Sequence, residues 1–131
     1  MSTFVRSLTV EIFNASGADI TVNYGLLTGG MWEIAPTPGT TICETQQQSY
    51  INGVTDAFTL LGGQILLTPA AGGSINPVWT WPSGAPVSGS VNNTATNLAV
   101  TNQFINTQTN NPTMQVTITN ASTSAKIVPA G

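Results

Sequence analysis

Apolar and polar residues alternate strictly through much of this chain, as they do in strands. In the segment 4–13, Leu8, Val10 and Ile12 fall on one face while Ser7, Thr9 and Glu11 fall on the other. Successive side chains of a strand point to opposite faces, so the pattern predicts a half-buried strand. The segment 18–26 repeats it, with Ile20, Val22 and Tyr24 opposite Asp19, Thr21 and Asn23. The clearest case comes late, where Met114, Val116 and Ile118 alternate with Gln115, Thr117 and Thr119. Shorter strands are expected at 31–34, 40–44, 85–91 and around Leu98, Val100 and Phe104. No window carries the 3.6-residue apolar period of an amphipathic helix.

The stretch 50–89 organises the middle of the chain. Tyr50-Ile51-Asn52-Gly53 reads as a turn into an alternating strand, 54–61, that would place Phe58 and Leu60 in the core. Gly62-Gly63 then reads as a hairpin turn, because both central turn positions call for positive φ. A loop over 69–74 leads to Asn76-Pro77-Val78-Trp79-Thr80-Trp81-Pro82-Ser83-Gly84. The prolines remove amide donors on both sides of the tryptophans, which predicts an edge strand or a loop. Turn chemistry recurs at Asn14-Ala15-Ser16-Gly17, Thr28-Gly29-Gly30, 35–39, 92–97 and 106–112. Roughly eight to ten short strands between such turns indicate an all-β, antiparallel two-sheet β-sandwich, one domain over 1–131. Its expected core is Leu8, Val10, Ile12, Ile20, Val22, Phe58, Leu60, Val116 and Ile118.

Charge changes the picture of partners. Arg6 and Lys126 are the only basic residues, five residues are acidic, and charged residues make up 5% of the chain. Two cations cannot neutralise the row of phosphates that nucleic-acid binding requires, so no nucleic acid is expected as a partner. Attraction to an anionic membrane by charge is excluded on the same ground. A surface kept soluble by Asn, Gln, Ser and Thr has little self-repulsion, so homo-oligomers or crystalline deposits are compatible with it. The opening residues lack the continuous apolar core of a signal peptide, and no stretch approaches the roughly 20 apolar residues of a membrane-spanning helix. The expectation is synthesis in the cytoplasm, with release or deposition as inclusions before action at a target-cell membrane.

The chemistry available is sparse. The chain has no histidine, and its one cysteine, Cys43, has no base to activate it. Cys43 is expected to be a buried, unreactive thiol. No spacing selects a carboxylate pair among Glu33, Glu44 and Asp56 for glycoside hydrolysis. There is no phosphate-binding glycine loop and no metal-ligand cluster, so neither an enzyme nor a cofactor or metal site is expected. Trp79 and Trp81 stand out instead. They share one face if the segment is a strand, and either core packing or exposed binding fits them; the flanking Pro, Gly and Ser favour exposure. An indole suits a sugar face or a membrane interface, having an apolar body and one N–H to satisfy. For Trp32, core and surface remain equally open.

Four segments in order resemble the aegerolysin family, most closely the small subunit of the two-component insecticidal crystal toxins of Bacillus. These are the strand-turn-strand Val10-Glu11-Ile12-Phe13-Asn14-Ala15-Ser16-Gly17-Ala18-Asp19-Ile20 and the Gly-Gly-x-Trp piece Leu27-Thr28-Gly29-Gly30-Met31-Trp32-Glu33-Ile34-Ala35-Pro36-Thr37. The others are Asn52-Gly53-Val54-Thr55-Asp56-Ala57-Phe58-Thr59-Leu60 and the aromatic loop Trp79-Thr80-Trp81-Pro82-Ser83-Gly84. The resemblance implies a β-sandwich that binds membrane lipid, often sphingolipid, and acts with a larger pore-forming partner protein. It makes Trp32, Tyr50, Asn52, Trp79 and Trp81 the expected lipid-binding residues. Asn52 stands where fungal members carry an acid, and Ser83 where they carry a second tryptophan. The expected function is the lipid-binding component of a pore-forming or insecticidal toxin. The alternatives are a carbohydrate-binding lectin and a self-assembling structural protein.

Overall fold

In a computed structural model that describes residues 4–70 and 72–121, the chain forms strands β1 (Arg6–Ala15), β2 (Ile20–Gly29), β3 (Met31–Ile34), β4 (Thr41–Ile42) and β5 (Gln47–Val54). Strands β6 (Leu61–Pro69), β7 (Ile75–Trp81), β8 (Ser88–Asn93), β9 (Leu98–Ile105) and β10 (Thr113–Asn120) follow. They make two five-stranded sheets, ordered β3-β5-β1-β10-β9 and β4-β2-β6-β7-β8, packed as the expected sandwich. Among the described residues every pairing is antiparallel except one: β1 and β10 run parallel, with Thr9 beside Thr113 and Ile12 beside Val116. Alternation fixes which face of each strand is buried but is silent on direction, so the parallel pair was not visible in the sequence.

The core is made from the inward faces of both sheets. Leu8, Val10, Ile12, Ile20, Val22, Val116 and Ile118 are all buried, as the alternation predicts. Phe58 and Leu60 are not: Phe58 is 83% exposed and Leu60 is also exposed. Residues 55–60 form a loop of bends after β5 rather than a strand, and Tyr50–Gly53 lies inside β5 rather than in a turn. Gly62 and Gly63 are strand residues of β6, not a hairpin turn. A Cβ at Gly63 would lie 2.7 Å from the Leu26 carbonyl and 2.9 Å from the Trp79 ring, so the site needs a residue without one.

Pro77 lies in β7, a strand paired on both sides, where an edge strand or loop was expected. The pairing of Ser74 C=O with Thr94 N–H sets the ladder phase, which turns the missing Pro77 donor toward Ile65 of β6. The Asn76 side chain donates to the Ile65 carbonyl instead, at 2.7 Å. One amide group thus replaces the lost backbone bond.

Candidate functional site

Trp79 lies between the sheets, 1% exposed. Its indole N–H donates to Asn52 Oδ1 at 3.0 Å across the sandwich. The Asn52 amide nitrogen in turn donates to the carbonyls of Gly29 (3.1 Å) and Met31 (3.2 Å), on either side of the β2–β3 turn. Both ends of a completely buried amide are therefore satisfied, as burial demands. Trp32 packs edge-on against Trp79, with ring centroids 6.1 Å apart at 68°, and is partly buried. Tyr50 is buried on the same inward face of β5, and desolvation raises the pKa of its phenol. Asn52 and Trp79 thus form a cross-sheet link, and Tyr50 is a core residue. As directly exposed ligands for a headgroup or sugar they are corrected.

Trp81 is buried too, and what covers it is Arg6. The guanidinium carbon sits 4.2 Å from the indole centroid, a cation–π contact removed from water. The same group donates to the carbonyls of Thr59 (3.0 Å), Trp81 (3.2 Å) and Pro82 (3.3 Å). Burial lowers the Arg6 pKa while the Asp56 carboxylate opposes that shift, and an arginine remains charged across any working pH. Arg6 therefore acts as a clamp that ties the 55–60 loop to the end of β7. Its charge is spent inside the molecule.

The loop itself is wound around Asp56. Asp56 Oδ1 accepts from the backbone N–H of Phe58 (2.8 Å) and of Thr59 (2.7 Å), and the Thr59 hydroxyl donates to the carboxylate at 2.7 Å. The Thr59 hydroxyl first, then the two amides, hold the Asp56 pKa below the ordinary aspartate value. This turn lifts Phe58 into solvent at the tip of the loop. Beside it, the β5 register places Met31 against Gly53, and a cleft of about 240 Å³ runs between Met31, Val54 and Asp56. Met31 is 52% exposed and Val5 45%, and Val5 is bonded to Val54 through its N–H. Phe4 lies across Gly53, where a Cβ would stand 2.6 Å from its ring. One end of the sandwich thus carries Phe58, Met31, Val5 and Leu60 on a braced frame.

Sequence reasoning missed this group because Ala57-Phe58-Thr59-Leu60 mimics strand alternation. The Asp56-x-x-Thr59 spacing, a side-chain-capped turn, was the available signal. Cys43 is exposed rather than buried: β4 ends at Ile42, and Cys43 opens a turn in which its N–H donates to Gln46 Oε1. Among the described residues no three His, Cys, Asp or Glu side chains come together in a way that could hold a metal ion.

No protein-family model matches this chain, and no curated protein matches it significantly. Solved structures do share its fold. The lipid-binding protein Nakanori is similar over 86% of this chain and 70% of its own, with a TM-score of 0.73 and 14% identity. IP-1A from Alcaligenes faecalis is similar over 89% of this chain and 92% of its own, with a TM-score of 0.70 and 15% identity. The RahU protein, in complex with TRIS, covers 88% of this chain with 94% of its own at a TM-score of 0.65 and 14% identity.

Proposed function

We propose that this protein binds the surface of a lipid membrane with the end of the sandwich that carries Phe58. The observation behind this reading is an aromatic side chain 83% exposed on a loop that Asp56 and Arg6 hold in place. A loop held this way presents the ring outward, where an apolar surface from outside can bury it. The fold supports the reading, since it is shared with the lipid-binding protein Nakanori. Trp79, Trp81 and Asn52 act here from within, bracing the end without touching lipid, and Tyr50 is buried in the core. The lectin alternative loses its main support, because the two indoles that would stack on a sugar are buried.

The finer reading is the lipid-recognising component of a pore-forming or insecticidal toxin, with a sphingolipid-type headgroup and a larger partner protein. It rests on the four sequence segments that resemble aegerolysins. A separate pore former suits this architecture, because the strands of both sheets are committed to one packed core. Binding rather than catalysis suits a chain without histidine.

Burying the Phe58 ring at the interface is worth about 1.5–3 kcal/mol, on the order of a ten- to hundredfold change in affinity. Sedimentation with neutral vesicles containing sphingomyelin and cholesterol tests this. Phe58→Ser is expected to stay folded and to lose binding by that factor. Undiminished binding by a folded Phe58→Ser protein overturns the assignment of this end.

A further inference from the structure

The two sides of the sandwich treat their sheet edges differently. On one side, β3 is four residues long, is bulged at Glu33, and runs into Pro36 and Pro38, while β4 has two residues. Charge, proline, bulges and shortness are the usual devices that stop an edge from pairing with another chain. On the other side the strands themselves carry none of them, although Pro86 lies two residues before β8. There β8 (Ser-Gly-Ser-Val-Asn-Asn) and β9 (Leu-Ala-Val-Thr-Asn-Gln-Phe-Ile) end their sheets without a charge, a proline or a register shift.

The ladder phase shows which backbone groups β9 turns away from β10. Ala121 N–H donates to Asn97 C=O, so in the antiparallel alternation Ala99, Thr101, Gln103 and Ile105 bond to β10. The N–H and C=O of Leu98, Val100, Asn102 and Phe104 then point away from the sheet. The Leu98 carbonyl accepts from the Asn93 side chain at 2.9 Å, consistent with that phase. Among the described residues no strand pairs with β9 beyond it.

We infer that β9 is a self-association edge, and that its occupant is β9 of a second copy of this chain in antiparallel register about Asn102. In that register Asn102 faces Asn102, and Val100 faces Phe104 of the second copy. All three carry backbone groups directed at the partner, and Val with Phe is a favourable cross-strand pair. On the opposite faces of the strands, Thr101 meets Gln103 and Ala99 meets Ile105. The pairing joins two five-stranded sheets into one continuous sheet. A strand free of charge meets its own copy without repulsion, which an edge bearing Lys or Glu would not. This inference is independent of lipid binding, since β9 and the Phe58 loop are separate surfaces.

The test uses the full chain in two forms. In a Cys43→Ser background, Asn102→Cys places two thiols on Cα atoms about 5.5 Å apart across the interface, within disulfide reach. Under a mild oxidant it is expected to give a covalent dimer, while Thr21→Cys on the outer face of β2 does not. In sedimentation equilibrium the wild type is expected to dimerise as concentration rises. Asn102→Lys, with an unchanged circular dichroism spectrum, is expected to raise the dissociation constant at least tenfold. A wild type that is monomeric at every concentration overturns the proposal. So does a dimer that Asn102→Lys leaves intact, or equal cross-linking of both cysteine variants.

Discussion

Asn52 shows how one residue can be read correctly for polarity and wrongly for place. An amide in a loop is a headgroup ligand; an amide on the inward face of β5 must find its partners inside. It finds three: the Trp79 indole and the carbonyls of Gly29 and Met31. The signal was present, because Tyr50, Asn52 and Val54 alternate with Ile51 and Gly53, and all three are buried. What the sequence cannot supply is the partner across the sandwich that makes a buried amide acceptable. The size of the effect follows from what removal leaves behind. Asn52→Leu keeps a similar volume but strands an indole N–H and two carbonyls, each costing about 1–3 kcal/mol when buried and unmet. Some of those groups relax toward water, so a net loss of about 2–4 kcal/mol is expected by urea denaturation. Trp79→Phe removes the donor from the other side. The double variant should lose less than the sum of the two, by about 1 kcal/mol, because both singles break the same bond. Strict additivity would mean that the Asn52–Trp79 bond contributes nothing to stability.

At the scale of elements, alternation was legible wherever a strand has one wet face, and misleading where a capped loop imitates it. Strands β1, β2 and β10 could be read directly. The stretch 55–60 could not, because hydrogen bonds from the Phe58 and Thr59 amides and the Thr59 hydroxyl to the Asp56 carboxylate, rather than pairing to a neighbour, decide its shape. Its proline argues against β7 as a central strand, since nothing in the sequence shows that the Asn76 side chain takes over the lost bond. The loop has its own pH signature. Asp56 titrates below the ordinary aspartate value because the loop stabilises its charged form. Stabilisation of that sign is fully present above the unfolded-state pKa, near 4, and disappears as pH falls through the lower folded-state value. The loop should therefore be unchanged between pH 7 and 5 and loosen only under stronger acid. The amide resonances of Phe58 and Thr59 report it: they should titrate together, with a midpoint below that of a free aspartate. In Asp56→Ala they should lose protection at neutral pH while the resonances of β1 and β10 stay in place. A midpoint at or above the free value would show that the carboxylate does not organise the loop.

For the molecule as a whole, the sandwich was legible and the order of strands was not. Which strand neighbours which depends on contacts distant in sequence, as the parallel pairing of β1 with β10 shows. The end that presents Phe58 is likewise assembled from far-apart pieces: the start of β1, the β2–β3 turn and the 55–60 loop. Composition, by contrast, speaks for the molecule directly. The net charge is −3, and the one cation within the described residues, Arg6, is clamped against Trp81 with its donors turned to backbone carbonyls. No exposed basic patch is available among the described residues to draw the protein to anionic lipid. Attraction of that kind would fade as added salt shortens the Debye length from about 10 Å at 0.1 M to about 3 Å at 1 M. Burial of an aromatic ring and short polar contacts are nearly insensitive to the same change. Binding to neutral vesicles should therefore vary by less than about threefold between 0.05 and 1 M salt, and anionic lipid should add little. A tenfold loss of binding over that range would place the source of affinity in charge rather than in the Phe58 end. Retention of binding at high salt, together with its loss in Phe58→Ser, is the joint outcome that this surface demands.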